Sequence, residues 1–284
     1  MKKKFILGDE WIYYKFFCGE RTADTILTDV IKPLTEILLH KKIIDKWFFI
    51  RYNDPENHIR IRFHFNDISN IGSVINLVKD AIAYSVDNDL IWKVETDTYL
   101  REIDRYGKNT MIESESIFFY DSTSCINALS LIDDDNLLFL FTIKSIDSLL
   151  TSFEYSLKDK IVFVEKLFKS YKVEFNADKH LNKQLNKKYQ LLRSKFEDFM
   201  LENNKDYYSL FLLIENKQIE IEKVKNVILN NTSNLSVSLD SLVASYIHMM
   251  VNRQFRGKQR LFELLCYYFL FRYYNSIFVR IRIL

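Results

Sequence analysis

Hydrophobic and polar positions alternate most sharply over residues 58–65. Ile59, Ile61, Phe63 and Phe65 fall on one side, and His58, Arg60, Arg62 and His64 on the other. Successive side chains of a strand point to opposite faces, so this pattern predicts a strand with one apolar and one basic face. It is the second half of a predicted hairpin, WFFIRYNDPENHIRIRFHF, at residues 47–65. Upstream, WIYYKFFC at 11–18 reads as a strand. Thr22 or Asp24 is placed to cap a following helix, in which Ala23, Ile26, Leu27, Val30, Ile31, Leu34 and Leu38 recur at helical spacing to about His40. Pro33 lies inside that pattern and predicts a kink. Downstream, a helix beginning at Asp67 carries Ile71, Val74, Ile75, Val78 and Ile82 on one face, and LIWKVET at 90–96 predicts a fourth strand.

The order strand, helix, strand, strand, helix, strand is that of a ferredoxin-like unit: a four-stranded antiparallel sheet with both helices on one side. After about residue 110 helical periodicity takes over. Helices are predicted near 112–132, 136–150, 157–174, 178–202, 207–231, 237–255 and 259–279. YYSLFLLI within 207–221 also fits a strand, and TSNLSVS at 232–238 predicts a break with a helix cap. The fold class expected is therefore α+β. A sheet domain at 1–108 precedes a mostly helical domain at 109–284, which packs on the open sheet face.

Composition refines this picture without redirecting it. Of 284 residues 48% are hydrophobic, Tyr (17) and Phe (23) abound, and Gly (5) and Pro (2) are scarce, which favours long elements over an all-β fold. The formal net charge of +2 selects no partner globally, so any electrostatic argument is local. Cys18, Cys125 and Cys266 are odd in number and in no metal-like spacing, as expected of free thiols in a reducing compartment. The apolar part of the N-terminus, Phe5-Ile6-Leu7, is too short for a signal sequence, and Leu264–Phe271 is too short to span a membrane. A soluble cytoplasmic protein without a metal or cofactor is expected.

Four constellations bear on chemistry. Arg60 and Arg62, two apart on one strand face, fit a carboxylate pocket, or a solvated face, or structural ion pairs to Glu95 or Asp97. In YLREIDRYG at 99–107, Glu102 and Arg105 are three apart and can pair on a helical turn, or belong to a polar exit loop. In SYIHMMVNRQFR at 245–256, His248 and Asn252 share a helix face, with Ala244 and Ser241 one and two turns back. His248 is either a satisfied core residue or a proton shuttle. The helix at 178–202, with Lys179, His180, Lys183, Lys187, Lys188, Arg193 and Lys195, reads as a wet face or as a surface for RNA or peptide. No GxGxxG, Walker A, HExxH, CxxC or GxSxG motif is present.

Taken in order, Trp11 with Tyr14 and Lys15, Ala23-Asp24, Ile31–Leu34, WFFIRYNDPENHIRIRF, YLREIDRYG and SYIHMMVNRQF ahead of Glu263 resemble one family. It is the C-terminal domain of lantibiotic dehydratases, also found alone as thiopeptide-type bacteriocin biosynthesis proteins. The resemblance implies elimination of glutamate from glutamylated Ser or Thr of a ribosomal precursor peptide, leaving dehydroalanine or dehydrobutyrine. Carried over by motif, it implies Arg60, Arg62, Glu102, Arg105 and His248 as catalytic residues, with Arg51, Arg101, Asn252 and Arg253 as substrate contacts. Lys108 stands where the family pattern leads one to expect a second glycine after Gly107. The implied partners are the precursor peptide, a separate glutamyl-tRNA-dependent glutamylation protein, a cyclase and a second copy of the chain. Two alternatives remain open: a thiopeptide pyridine synthase that joins dehydroalanines and releases the leader, and a non-catalytic leader-binding module.

Overall fold

The structure is a computed structural model that describes residues 1–231 and 237–283. Its strands are β1 (Lys4–Phe5), β2 (Trp11–Phe17), β3 (Lys46–Tyr52), β4 (His58–His64), β5 (Lys93–Thr96) and β6 (Tyr99–Leu100). Its helices are α1 (Glu20–Thr25), α2 (Lys32–His40), α3 (Ile71–Asp87), α4 (Ile103–Tyr106), α5 (Met111–Leu129), α6 (Asp135–Ser152), α7 (Leu157–Glu174), α8 (Lys179–Met200), α9 (Tyr208–Asn230), α10 (Leu239–Gln254) and α11 (Gln259–Ile283). The ambiguous 207–221 stretch is helical. Residues 232–236 of the expected break lie outside the described residues, but the expected cap is present: the Ser238 hydroxyl accepts from the Ser241 amide.

Strands β2 to β5 form an antiparallel sheet in the order β3-β4-β2-β5, the ferredoxin-like arrangement. Register places Ile12, Tyr14 and Phe16 beside Phe63, Ile61 and Ile59, with Trp47 and Phe49 beyond them on β3. This face is buried together with Ile26, Leu27, Ile31, Leu34 and Leu38 from the first helical stretch and Val74, Val78 and Ile82 from α3. Each such burial contributes about 1.5–3 kcal/mol before chain entropy is counted. The kink expected at Pro33 takes the form of a π-helical segment, Ile26–Ile31, immediately before α2. Proline supplies no amide to the helical ladder, and the preceding turns widen. A second sheet, β1 paired with β6, was not legible in the sequence because each strand has two residues.

The chain divides into two compact units, and not at residue 108. One comprises Met1–Leu131 with Asn226–Gly257, the other Ile132–Lys225 with Lys258–Leu284. The reason is packing. Helix α5 contributes Cys125 and Ile126 to the sheet's own core. On the outer edge of β3, the Phe49 amide donates to the Ser122 hydroxyl, and Asn252 accepts from the Arg51 amide while donating to the Arg51 carbonyl. Arg253 Nε donates to the Phe49 carbonyl. Side chains of α5 and α10 thus satisfy backbone groups that an edge strand leaves open. These helices belong to the sheet unit and run along its edge, which periodicity alone cannot reveal.

The other unit is helical. Phe269 of α11 makes edge-on contacts with Phe139 of α6 and with Tyr189 and Phe196 of α8. Asp134 caps α6, a Ser156–Asp159 capping box starts α7, and Asp178 caps α8. The basic residues of α8 are mostly solvated; Lys188 reaches Asn136, Arg193 pairs with Glu197 and Lys195 with Asp134, the ordinary wet-face outcome. Among the described residues, no helix is long and apolar enough to cross a membrane, and no cluster of three or more His, Cys, Asp or Glu is placed to hold a metal ion.

Candidate functional site

The basic face of β4 lies opposite the helix-covered core. On it, register aligns Tyr13 with Arg62 and Phe48, Lys15 with Arg60 and Ile50, and Phe17 with His58 and Tyr52. Arg62 is the unusual residue. It is only 8% exposed, and its guanidinium carbon sits 4.2 Å from the Tyr13 ring centroid, 5.0 Å from Tyr99 and 5.1 Å from Phe48. Its Nε is buried without a hydrogen-bond partner, and among the described residues no carboxylate lies within ion-pair distance. Burial lowers its pKa from the ordinary arginine value, while the Tyr13 and Tyr99 hydroxyls oppose that shift. Three electron-rich ring faces offset part of the desolvation cost but supply no counter-ion.

Arg60 is half-buried on the same face. Its guanidinium stacks on Tyr52 at 3.4 Å, and its Nε donates to His58 Nε2 at 2.9 Å. The carboxylates that the sequence offered as partners are taken by others. Asp97 pairs with Lys15 at 2.6 Å, and Glu95 pairs with Lys93 at 2.5 Å. Arg60 also borders a cleft of about 390 Å³ whose walls include Lys15, His58, Trp92 and Glu95.

Glu102 and Arg105 arrive from the exit of the sheet. Glu102 is the N-cap of the short α4 and Arg105 lies in its last turn; Gly107 closes the helix at φ 78°, a conformation a side chain would strain. Lys108 is exposed. Glu102 and Arg105 form an ion pair at 3.5 Å, both partly solvated, and Arg105 Nε donates to the Ser245 hydroxyl of α10 at 3.2 Å. The charges of Arg105, Glu102 and Arg62 all act on the buried Tyr106 hydroxyl, whose pKa burial pushes up to about 12. Tyr106 stacks on Tyr246 of α10, and Tyr246 shares a hydrogen bond with Ser114. His248 is half-buried on α10, one turn beyond Ser245 and one turn before Asn252. It therefore stands on the helix stripe that meets α4 at one end and β3 at the other. One sheet face, α4 with its N-cap, and one stripe of α10 thus carry the five residues assigned by motif.

The four expected substrate contacts have interior partners. Arg51 pairs with Asp24 at 2.6 Å and donates from Nε to the Arg253 carbonyl. Arg253, 1% exposed, pairs with Asp121 at 2.9 Å. Arg101 grips Glu115 through two bonds of 2.7 Å, and Glu115 also accepts from the Tyr99 hydroxyl. The Asn252 amide is engaged with the β3 backbone. Conversely, sequence reasoning missed Tyr13, Phe48, Tyr52 and Tyr99, the rings that hold the two arginines. Their signal was present in the alternation of β2 and β3, which places Tyr13, Phe48 and Tyr52 on the arginine face.

A family model for the lantibiotic biosynthesis dehydratase C-terminal region matches residues 11–274. The chain belongs to this family. The lantibiotic dehydratase C-terminal domain seen here is similar to the epidermin biosynthesis protein EpiB of Staphylococcus epidermidis, 26% identical over 255 residues, covering 87% of this chain and 24% of that protein. Its fold resembles the tRNA-dependent lantibiotic dehydratase MibB from Microbispora sp. 107891, with a TM-score of 0.76 at 18% identity, over 97% of this chain and 29% of that one. It also resembles the pyridine synthase TbtD from thiomuracin biosynthesis, with a TM-score of 0.64 at 10% identity, over 92% of this chain and 97% of that one. The chain thus spans about a quarter of the EpiB length and under a third of the MibB length, and the structural likenesses speak to fold alone.

Proposed function

We propose that this domain eliminates glutamate from glutamylated Ser or Thr of a ribosomal precursor peptide, forming dehydroalanine or dehydrobutyrine. The observation that carries the proposal is Arg62: a buried guanidinium in an aromatic cage, without a carboxylate partner among the described residues. A charge so desolvated calls for an anion, and Arg60 stands beside it on the same strand face. The leaving glutamate suits this pair. It has a free carboxylate, and its ester carboxyl becomes a second one as the Cβ–O bond breaks.

The reaction requires loss of the Cα proton, formation of the Cα–Cβ double bond and departure of glutamate with the Cβ–O electron pair. Arg60 and Arg62 bind and stabilise the developing carboxylate, with Arg105 as a third cation. His248 or Glu102 takes the Cα proton, and the ion pair between Glu102 and Arg105 orients both side chains. We assign Arg51, Arg101, Asn252 and Arg253 to the framework that holds β3, α5 and α10 in place. The glutamyl ester itself is supplied by a glutamyl-tRNA-dependent glutamylation protein, which is the proposed partner along with the precursor peptide.

The fold shared with the pyridine synthase TbtD leaves a second reading open, cycloaddition of dehydroalanines with release of the leader. One experiment separates the two. A glutamylated precursor peptide is incubated with the protein and its mass followed. Loss of glutamic acid with gain of a dehydro residue supports elimination. Leader release in a parallel incubation with the dehydrated peptide supports the synthase, and an unchanged glutamyl peptide overturns the proposal.

A further inference from the structure

The basic row contains a residue with no role in the chemistry above, His58. It is 4% exposed and lies between its two register neighbours, with ring centroids 4.7 Å from Phe17 and 5.5 Å from Tyr52. One ring nitrogen, Nδ1, is 2.7 Å from the Glu56 carbonyl oxygen. A carbonyl only accepts, so Nδ1 carries the proton. The other nitrogen, Nε2, is 2.9 Å from Arg60 Nε. Guanidinium nitrogens only donate, so Nε2 must present its lone pair. Both contacts are satisfied by a single protonation state, the neutral Nδ1–H tautomer.

We propose that His58 is the positioning residue of Arg60: its neutral imidazole, anchored on the Glu56 carbonyl, accepts the Arg60 Nε–H and fixes the guanidinium against Tyr52. Arg60 is then held on its face by Tyr52 and on its Nε side by His58. The terminal nitrogens Nη1 and Nη2 take no partner among the described residues. They form the edge left for a bidentate carboxylate. A long, rotamer-rich side chain is thereby pre-ordered before ligand arrives, which lowers the entropy lost on binding.

The groups facing His58 agree with the neutral form. Burial lowers its pKa, the Glu56 carbonyl bond raises it, Arg60 and Lys15 lower it and Glu95 raises it, with a lowered value as the outcome. Tyr52 contributes its ring against the imidazole, and Lys93 is drawn to Glu95. Protonation would put an N–H against the Arg60 N–H and a second positive charge beside it. The clamp therefore opens as pH falls.

The role in turnover rests on the glutamate-eliminating reading of Arg60; the hydrogen bond does not. Two variants test both. His58→Phe keeps a ring between Phe17 and Tyr52 but removes the acceptor. His58→Gln offers an amide oxygen near the Nε2 position and does not titrate. The first readout is the Arg60 Nε–H resonance in nitrogen-15 NMR, assigned by its absence from Arg60→Lys. It should be protected from exchange in wild type at neutral pH, lose protection as His58 titrates, be unprotected in His58→Phe and stay protected to lower pH in His58→Gln. The second is elimination from a glutamylated peptide. His58→Phe should lower kcat/KM about tenfold, the loss of one charge-assisted hydrogen bond, and His58→Gln should recover most of it. Unchanged Arg60 protection in His58→Phe overturns the proposal, as does a His58→Gln variant no better than His58→Phe in both readouts. The predicted NMR behaviour in a wild-type protein that eliminates nothing would uphold the positioning role and refute the proposed function instead.

Discussion

Replacing Arg62 with methionine should make the protein more stable while abolishing its activity. Arg62 is a charge taken out of water with no carboxylate at ion-pair distance and one buried donor unpartnered among the described residues. The unpaired Nε–H costs about 1–3 kcal/mol, and desolvating the charge costs several more. Against this stand cation–π contacts with Tyr13, Tyr99 and Phe48, worth ~0.5–2 kcal/mol each. Methionine retains much of the packing volume and gains sulfur–aromatic contacts of ~0.3–1.5 kcal/mol. The balance favours Arg62→Met by about 1–3 kcal/mol, in line with the ~1–4 kcal/mol found when buried ionic groups give way to apolar ones. At ~2–4 °C per kcal/mol for a unit of ~150–250 residues, the melting temperature should rise by roughly 2–12 °C. Thermal unfolding followed by near-UV circular dichroism measures this, and turnover of a glutamylated peptide should fall at least ~100-fold in the same variant. A lower melting temperature would refute the reasoning, because it would make Arg62 part of the scaffold rather than a group held ready for an anion.

Arg253→Met should behave in the opposite way, losing about 3–5 kcal/mol in urea unfolding, because it breaks the buried Arg253–Asp121 ion pair and removes the Arg253 donor to the Phe49 carbonyl. Asn252→Ala removes both bonds to the β3 backbone at Arg51 and should cost about 1–3 kcal/mol for each group left unsatisfied; faster hydrogen exchange at the Arg51 amide would localise the loss. Stability should fall as pH drops below ~6.5, the ordinary histidine value, since the folded state holds His58 below that value and the unfolded chain binds the extra proton first; His58→Gln should lack this component of the pH–stability curve. Asp134→Ala should cost about 1 kcal/mol by uncapping α6, measured as a lowered urea midpoint.

The fold was legible where one local pattern decides the outcome. The alternation at 58–65 fixes which side of β4 faces the helices, and the strand and helix order leads to the observed sheet. What was illegible depends on distant partners. Arg51 and Arg101 share motifs with Arg60 and Arg105, and Arg253 shares one with His248, yet each is matched inside by an acid elsewhere in the chain: Asp24, Glu115 and Asp121. No spacing distinguishes an arginine that meets a carboxylate in its own fold from one that meets it in a ligand. The boundary at residue 108 failed for a similar reason, because the periodicity of α5 does not say which core receives Cys125 and Ile126. His58 was visible on the basic face, but its use depends on the Glu56 carbonyl setting its tautomer.

The central claim is that the Arg60 and Arg62 row is built to receive the carboxylate of a peptide-linked glutamate. Its most direct test is calorimetric titration with a precursor peptide in which an amide replaces the glutamyl ester, so that binding proceeds without elimination. The wild-type protein should bind this peptide better than the unglutamylated peptide, and Arg62→Met should bind the two alike. Equal binding of the two peptides by wild type, or a preference for the glutamylated one that survives in Arg62→Met, would contradict the account.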